Sequence, residues 1–321
     1  MADKIIKADQ GRSSSRGWPR AVGLFGIVLA TSIMHPGVLI ALPLLLLIAA
    51  HGLRGFQGVL AAVLCIMVLA SGMRDGVWFA ERAWALLVGG GFLGLTILVP
   101  TWTLSSRALG AVIGAAGVGA IMMAIRPEAW VILDATIVDG IQAGVDATLD
   151  GLTLLAGSES LSPEILTTFQ GAVEAQASVF PALVFLESMA ALGVAWWVRT
   201  RFVGEGDLGL GPLHEFSFND HLVWVLVAGL ILVFMQFGEA FARVGSNAVV
   251  FMGGLYAMRG TAVFLFITGG FSLFGFVMFS LGVFLAAPLV LGIAVLVGVG
   301  DTWLDLRSRV RERAACHTSW R

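Results

Sequence analysis

One arginine lies inside an apolar run that is long enough to cross a bilayer. Arg259 falls within the segment from Asn247 to Ile267. A charged arginine at the centre of a membrane helix costs about 2.5–3.5 kcal/mol, so it must face a partner, a cavity or the lipid headgroups. In a helix, Tyr256, Arg259 and Gly260 fall within a sector of roughly 100°. The spacing therefore predicts one polar face on an otherwise apolar helix.

A second charge at membrane depth is Glu187, in the apolar segment that follows Pro181. It is a natural counter-ion for Arg259, although a carboxyl group kept neutral by burial satisfies the same sequence. The candidate pocket or ion pair therefore consists of Glu187, Asn247, Tyr256 and Arg259. In such a pocket Arg259 holds an anionic group, and Glu187 balances its charge when the site is empty. Tyr256 and Asn247 orient the bound group by hydrogen bonds.

The composition of the chain places these residues in a membrane protein. Of 321 residues, 58% are hydrophobic and 12% charged, far from the average of soluble proteins. The net charge of -2 provides no basic field for nucleic acid, so we expect no DNA or RNA partner. The two cysteines, Cys65 and Cys316, form neither a disulfide framework nor a metal-binding spacing. The five histidines are dispersed, and we expect no metal site.

The sequence carries no motif of a hydrolase that acts through zinc, serine or ATP. The string Gly298-Val-Gly300-Asp301 is similar to the Gly-x-Gly-Asp of intramembrane aspartyl proteases. Those enzymes need a second aspartate on a neighbouring helix, which this chain does not offer in a matching motif. We interpret Asp301 as an interfacial helix end, and we expect no catalytic residue, no cofactor and no enzymatic activity.

Both ends of the chain are basic. Residues 1–20 form a polar tail whose positive charges are Lys4, Lys7, Arg12, Arg16 and Arg20, and residues 301–321 form a second tail rich in arginine. No cleavable signal is apparent at the start. By the positive-inside rule we expect a cytoplasmic N-terminus, in a multi-pass protein of the bacterial inner membrane.

Two blocks of apolar segments predict an all-α polytopic bundle of about eight or nine spans. Residues 21–125 form the N-terminal transmembrane helices and residues 163–300 the C-terminal ones. The first apolar stretch, interrupted at His35-Pro36-Gly37, is either a hairpin of two short spans or one kinked helix. The sequence Ser162-Pro163-Glu164 is typical of a helix start, and we expect a bend at Pro181.

Between the two blocks, residues 126–162 predict an acidic amphipathic helix that does not span the membrane. Asp139, Asp146 and Asp150 are spaced to share one helical face, opposite an apolar face. Such a helix lies at the interface or caps a cavity. The carboxylates are either a solvated acidic face or a cation site, and the solvated face is the simpler interpretation.

The order of segments resembles a known family. A Pro-interrupted first pair is followed by His51-Gly-Leu-Arg-Gly55, by Gly254-Leu-Tyr256-Ala-Met-Arg-Gly260 and by Gly300-Asp301-Thr-Trp-Leu-Asp305-Leu-Arg307. This pattern is similar to the YybS-type family of predicted bacterial membrane proteins, whose function is unassigned. The front half resembles, more weakly, the substrate-binding S components of energy-coupling-factor transporters. That second resemblance implies small-solute binding together with other membrane subunits.

From these observations we expect small-solute binding or transport, with a small anionic solute held at Arg259 and membrane lipid around the bundle. The alternative is a non-catalytic membrane scaffold that assembles partners. In that reading Arg259 and Glu187 join helices to one another, and the glycine-rich helix faces contact partner proteins.

Overall fold

The computed structural model describes residues 56–71, 78–156, 163–203, 216–235, 237–268 and 273–310, together with Pro43. Within these ranges the secondary structure is helical and contains no strand, which confirms the predicted all-helical class. The helices are α1 (Phe56–Ala70), α2 (Trp78–Leu98), α3 (Leu104–Ile125), α4 (Pro127–Ala156), α5 (Pro163–Ser178), α6 (Phe180–Val203), α7 (Val223–Phe234), α8 (Glu239–Thr268) and α9 (Leu273–Leu304). A 3-10 turn at Asp220–Leu222 precedes α7.

Five helical segments in the described ranges are long and apolar enough to cross a membrane. They are Trp78–Leu98, Leu104–Ile125, Phe180–Trp197, Glu239–Thr268 and Leu285–Leu304, with Asp220–Phe234 as a shorter apolar helix. These helices are consistent with an integral membrane protein. The number of eight or nine spans stays a prediction, because the first apolar stretch lies outside the described residues.

Several other expectations fall outside the described residues. They concern the two outer tails (1–20 and 311–321), the interruption at Pro36, the turn at 51–55, the linker from Gly204 to residue 215 and the turn at 269–270.

Local sequence signals explain where the helices begin and break. Thr103 caps α3, accepting a hydrogen bond from the backbone N–H of Ser106 at 3.3 Å. Pro163 stands at the start of α5, as the sequence predicts. The long helix expected from Pro163 is interrupted at Val179, which separates α5 from α6 two residues before Pro181. Proline removes a backbone donor and clashes with the preceding turn, so the bend falls at this point.

The chain divides into two compact units, Met1–Asp207 and Leu208–Arg321. In the first unit α2 packs on α3 and both contact α6, while α4 contacts α3 and α5. The indole of Trp84 on α2 donates to the hydroxyl of Ser188 on α6 at 2.9 Å and stacks on Phe185 at 5.3 Å. Fully buried apolar side chains, including Phe92 and Leu192, fill the space between these helices.

The acidic helix predicted for residues 126–162 is present as α4 and belongs to the first unit. Its Asp139, Asp146 and Asp150 side chains are exposed, as a solvated acidic face requires. A cavity of about 460 Å³ lies beside its Gly140 and Gly144. Its predicted position, at the interface or capping a cavity, stays a prediction.

The second unit is built around α8, which packs on both α7 and α9. Glycines allow the helices to approach closely: a Cβ on Gly245 would lie 2.8 Å from the carbonyl oxygen of Gly229 on α7. A Cβ on Gly298 of α9 would overlap the backbone carbonyl of Tyr256 on α8, and one on Gly260 would overlap that of Ala294. Small residues at such crossings permit backbone contact between membrane helices.

Helix α9 is kinked at Ala286, whose φ of -140° and ψ of 43° are not helical. Pro288 follows two residues later, inside the same helix. A proline ring clashes with the carbonyl four residues before it, which opens the helix locally. The long final apolar stretch of the sequence is therefore two helical pieces joined at this kink.

Candidate functional site

Arg259 on α8 is held by two carboxylates from other elements of its own unit. Its Nε donates to Asp301 Oδ2 at 2.9 Å, and its Nη1 donates to Asp220 Oδ1 at 2.5 Å. Asp301 lies near the end of α9, and Asp220 opens the 3-10 turn before α7. The three residues thus join the start of one helix and the end of another to the interior of α8.

A second arginine completes the cluster. Arg307, just beyond α9, donates through Nη2 to the same Asp301 oxygen at 2.9 Å and through Nη1 to the carbonyl of Phe216 at 3.0 Å. Asp305, with a φ of 43°, lies between the end of α9 and Arg307. Aspartate tolerates this left-handed conformation better than most residues, and the turn lets Arg307 point back at Asp301. Two arginines and two aspartates leave the cluster formally neutral.

Aromatic rings cover the cluster. The guanidinium carbon of Arg259 lies 5.6 Å from the ring centroid of Phe218, within the range of a cation–π contact. Phe218 in turn meets Tyr256 edge to face, with ring centroids 5.1 Å apart. Tyr256 is fully buried, and its hydroxyl lies near Thr302 without a hydrogen bond of good geometry. The second carboxylate oxygen of Asp301, Oδ1, is also buried and accepts no hydrogen bond from the described residues.

The two carboxylates differ in their exposure to solvent. The Asp301 side chain is 1% exposed and that of Asp220 is 61% exposed, although both bind the same arginine. Asp220 also borders a cavity of about 270 Å³. The other residues that line this cavity are His221, Val223, Trp224, Val227, Thr302 and Trp303. Asp301 is therefore a fixed partner of Arg259, while Asp220 stands between Arg259 and an open space.

Local sequence positions Asp220 at this cavity. The side chain of Asn219 accepts the backbone N–H of His221 at 3.0 Å, which starts the 3-10 turn. Asparagine is among the preferred capping residues at a helix start. With Asn219 serving as the cap, the Asp220 side chain is released to bind Arg259.

Two of the four predicted site residues come together, and a third lies elsewhere on the same helix. Tyr256 and Arg259 lie one turn apart in the cluster. Asn247 lies twelve residues before Arg259, about 18 Å along α8, and donates to the carbonyl of Arg243 at 2.8 Å. Glu187 is exposed on α6 and belongs to the other compact unit. Because Arg259 already has two carboxylate partners, its charge does not require Glu187, and that pairing stays a prediction.

Sequence reasoning missed Asp220, Asp301 and Arg307 as partners of Arg259. It places Asp301 at an interfacial helix end and Arg307 in a basic tail, since all three residues stand at the edge of an apolar run. That edge position was the available signal. An acidic residue at the end of one apolar helix can contact a charged residue inside a neighbouring helix when the two helices are shifted along each other.

No family model, curated protein or solved structure matches the chain. The resemblance to the YybS-type family and to transporter S components stays a prediction. Among the described residues, no group of three or more His, Cys, Asp or Glu side chains is placed to hold a metal ion. The class defined so far is an all-helical protein with apolar helices consistent with an integral membrane protein, and with a buried Arg–Asp cluster.

Proposed function

We propose that the protein binds a small anionic solute at Arg259 and carries it across the bacterial inner membrane. The observation that supports this most is the unequal pair of carboxylates on Arg259. Asp301 is buried and fixed, whereas Asp220 is exposed and borders a cavity. An incoming anion can take the position of Asp220 without disturbing Asp301.

The charges of the cluster favour exchange over simple addition. Arg259, Arg307, Asp220 and Asp301 together are neutral. A bound anion that replaces Asp220 at Arg259 keeps the immediate surroundings of the arginine neutral, while the released Asp220 side chain is already in contact with solvent. Addition of an anion to the intact cluster leaves an unpaired negative charge in an apolar setting, which is costly. Asp220 therefore acts as an internal competitor of the solute.

The position of the cluster also supports a transport role. Arg259 lies twenty residues from the start of α8, while its partners lie at the start of the turn before α7 and near the end of α9. In many transporters the ends of interrupted helices meet near a polar site inside the bundle. The start of α7 adds the positive end of a helix dipole to the arginine.

The size and walls of the cavity limit the solute. A volume of about 270 Å³ is just below the usual range of ligand pockets, so the solute is small. Valine and tryptophan side chains form most of the wall, so the part of the solute away from its anionic group is apolar. A short-chain carboxylate fits this description better than a highly polar phosphate ester.

The test is a thermal-shift screen of the full-length protein in mild detergent, with acetate, lactate, butyrate, succinate and inorganic phosphate as probes. We expect a monocarboxylate to stabilise the wild type and to bind Asp220→Asn more tightly, because the competitor has lost its charge. Arg259→Lys should bind more weakly, since lysine lacks the planar fork. Asp305→Asn, an exposed aspartate in the same unit, is the matched control. Uptake into proteoliposomes then separates binding from transport.

The alternative function is a non-catalytic membrane scaffold, and the same screen can favour it over solute binding. If Asp220→Asn and Arg259→Lys respond to every probe as the wild type does, the proposal that a solute anion replaces Asp220 at Arg259 is wrong. Native mass spectrometry of the protein extracted from its own membrane then decides between the two. Protein partners and phospholipid without a small anion would favour the scaffold, in which the cluster only fastens α8 and α9 together.

A further inference from the structure

A buried hydroxyl group lies close to the wall of the cavity beside Arg259. Tyr256 is fully buried, and its hydroxyl has no hydrogen-bond partner of good geometry among the residues that the structure describes. The hydroxyl of Thr302 on α9 lies near it. A buried hydroxyl without a partner is unfavourable, and a hydrogen bond from Tyr256 to the Thr302 oxygen removes that cost. Any ligand that brings Thr302 into line with Tyr256 is therefore favoured.

Thr302 also lines the cavity of about 270 Å³ that Asp220 borders. Its hydroxyl donates to the carbonyl of Gly298, one turn earlier on α9, at 3.4 Å, which is long for a hydrogen bond between two oxygens. A threonine hydroxyl has one proton to donate and two positions at which it accepts. Because its proton is directed at α9, the hydroxyl offers acceptor positions to the cavity and to Tyr256. A bound molecule can use the cavity-side position only if it carries a donor.

Thr302 stands at the end of the cavity where the arginine lies. It follows Asp301, which accepts from Arg259 at 2.9 Å, and Asp220 on the same cavity accepts from Arg259 as well. A solute whose carboxylate takes the place of Asp220 therefore brings the carbon next to that carboxylate toward Thr302. Valine and tryptophan side chains form most of the remaining wall, and they suit an apolar remainder of the solute.

We propose that the solute is a short 2-hydroxy monocarboxylate, whose carboxylate binds Arg259 and whose hydroxyl donates to Thr302. The assignment rests on the proposed function, since it names the substrate class of the same site. Tyr256, which does not line the cavity, is a positioning residue that donates to Thr302 and orients its oxygen toward the solute. A carboxylate of the same length without a hydroxyl offers no donor to Thr302 and binds more weakly.

The test compares lactate, propionate and alanine, which are three-carbon acids that carry a hydroxyl group, a hydrogen atom or an ammonium group at the second carbon. Binding to the full-length protein in mild detergent is measured by isothermal titration calorimetry. We expect lactate to bind about three- to tenfold more tightly than propionate, the effect of one hydrogen bond. In Thr302→Val the affinity for lactate should fall to that for propionate, which itself stays unchanged. Tyr256→Phe should reduce the preference for lactate.

Thr261→Val is the matched control. Thr261 donates to the carbonyl of Ala257, one turn earlier on α8, at 2.8 Å, as Thr302 does to Gly298 on α9, but it does not line the cavity. Its variant should keep the wild-type preference for lactate, and so should Thr302→Ser, which retains the hydroxyl. If Thr302→Val does not fold, Thr302→Ala removes the same hydroxyl and should show the same loss of preference.

The outcomes distinguish the hydroxyl contact from solute binding at Arg259. Equal affinities for lactate and propionate, both weakened in Arg259→Lys, would overturn the hydroxyl contact and leave the proposed function in place. Tighter binding of alanine than of lactate would also overturn it, because the donor would then be an ammonium group. So would a preference for lactate that survives in Thr302→Val. If the wild type binds neither lactate nor propionate, the proposed function and the substrate class both fail.

Discussion

Arg259 and Asp301 form a buried ion pair, with 2.9 Å between Nε and Oδ2 and with side chains that are 6% and 1% exposed. The pair joins α8 to α9 beside the crossing at which Gly260 and Gly298 let the two backbones touch. Burial of two charges costs more than their attraction returns unless further hydrogen bonds satisfy them. Asp220 and Arg307 supply those bonds, one to each member of the pair.

Loss of the Asp301 charge should destabilise the second unit severely. Asp301→Asn leaves two arginines with one carboxylate between them, and removal of one partner from a buried pair costs about 3–5 kcal/mol. The measurement is SDS-induced unfolding of the full-length protein in mixed micelles. Asp305→Asn is the control, since that aspartate is exposed and asparagine tolerates its positive φ. If Asp301→Asn is destabilised no more than Asp305→Asn, the ion pair of Arg259 with Asp301 contributes little to the stability of the protein.

Loss of the Asp220 charge should be far milder. Its side chain is 61% exposed, and exposed ion pairs contribute about 0–1 kcal/mol. We therefore expect Asp220→Asn to unfold within about 1 kcal/mol of the wild type in the same micelle assay. A destabilisation as large as that of Asp301→Asn would make Asp220 a structural partner, and it would remove the basis for its exchange with a solute.

The crossing of α8 and α9 should not tolerate a methyl group. In Gly298→Ala the added Cβ overlaps the carbonyl of Tyr256, so the helices must separate, and overpacking of this kind costs about 1–3 kcal/mol. Gly292→Ala on the same helix has open space around its Cβ, and we expect it to be neutral or slightly stabilising. Unfolding midpoints of both variants, compared with the wild type, check this. Equal effects at the two positions would contradict the close crossing.

The acidic helix α4 should remain accessible to water. In a variant with Cys65 and Cys316 replaced by serine, Asp146→Cys should react with a membrane-impermeant maleimide from one side of the membrane. Asp146 is exposed and lies on a helix outside the five candidate spans. Gly117→Cys, inside the α3 span, should be protected by lipid. Protection of Asp146→Cys from both sides would place α4 within the bilayer.

Helix positions could be anticipated because they depend on local signals. The sequence Ser162-Pro163-Glu164 predicts a helix start, which the structure confirms at α5. Helix α8 begins at Glu239, before the apolar run from Asn247, because its first turns contain the charged residues Glu239 and Arg243. Charged residues at the edge of an apolar run can form the first turns of the helix, and they do not mark the helix boundary.

The partners of Arg259 could not be anticipated in the same way. Sequence pattern gives the face of a helix, and it correctly put Tyr256 beside Arg259. It gives no information on how far one helix is shifted along another. That shift is set by the glycine crossings between α7, α8 and α9, which bring Asp220 and Asp301 to the depth of Arg259.

The amino-acid sequence alone determined the membrane class, the helical fold and the need of Arg259 for a partner. Hydrophobic composition, helix periodicity and the cost of an isolated charge in lipid are properties that each segment carries by itself. Only the tertiary structure decided which carboxylates meet that need. Such pairings depend on contacts between residues distant in sequence, which no local pattern specifies.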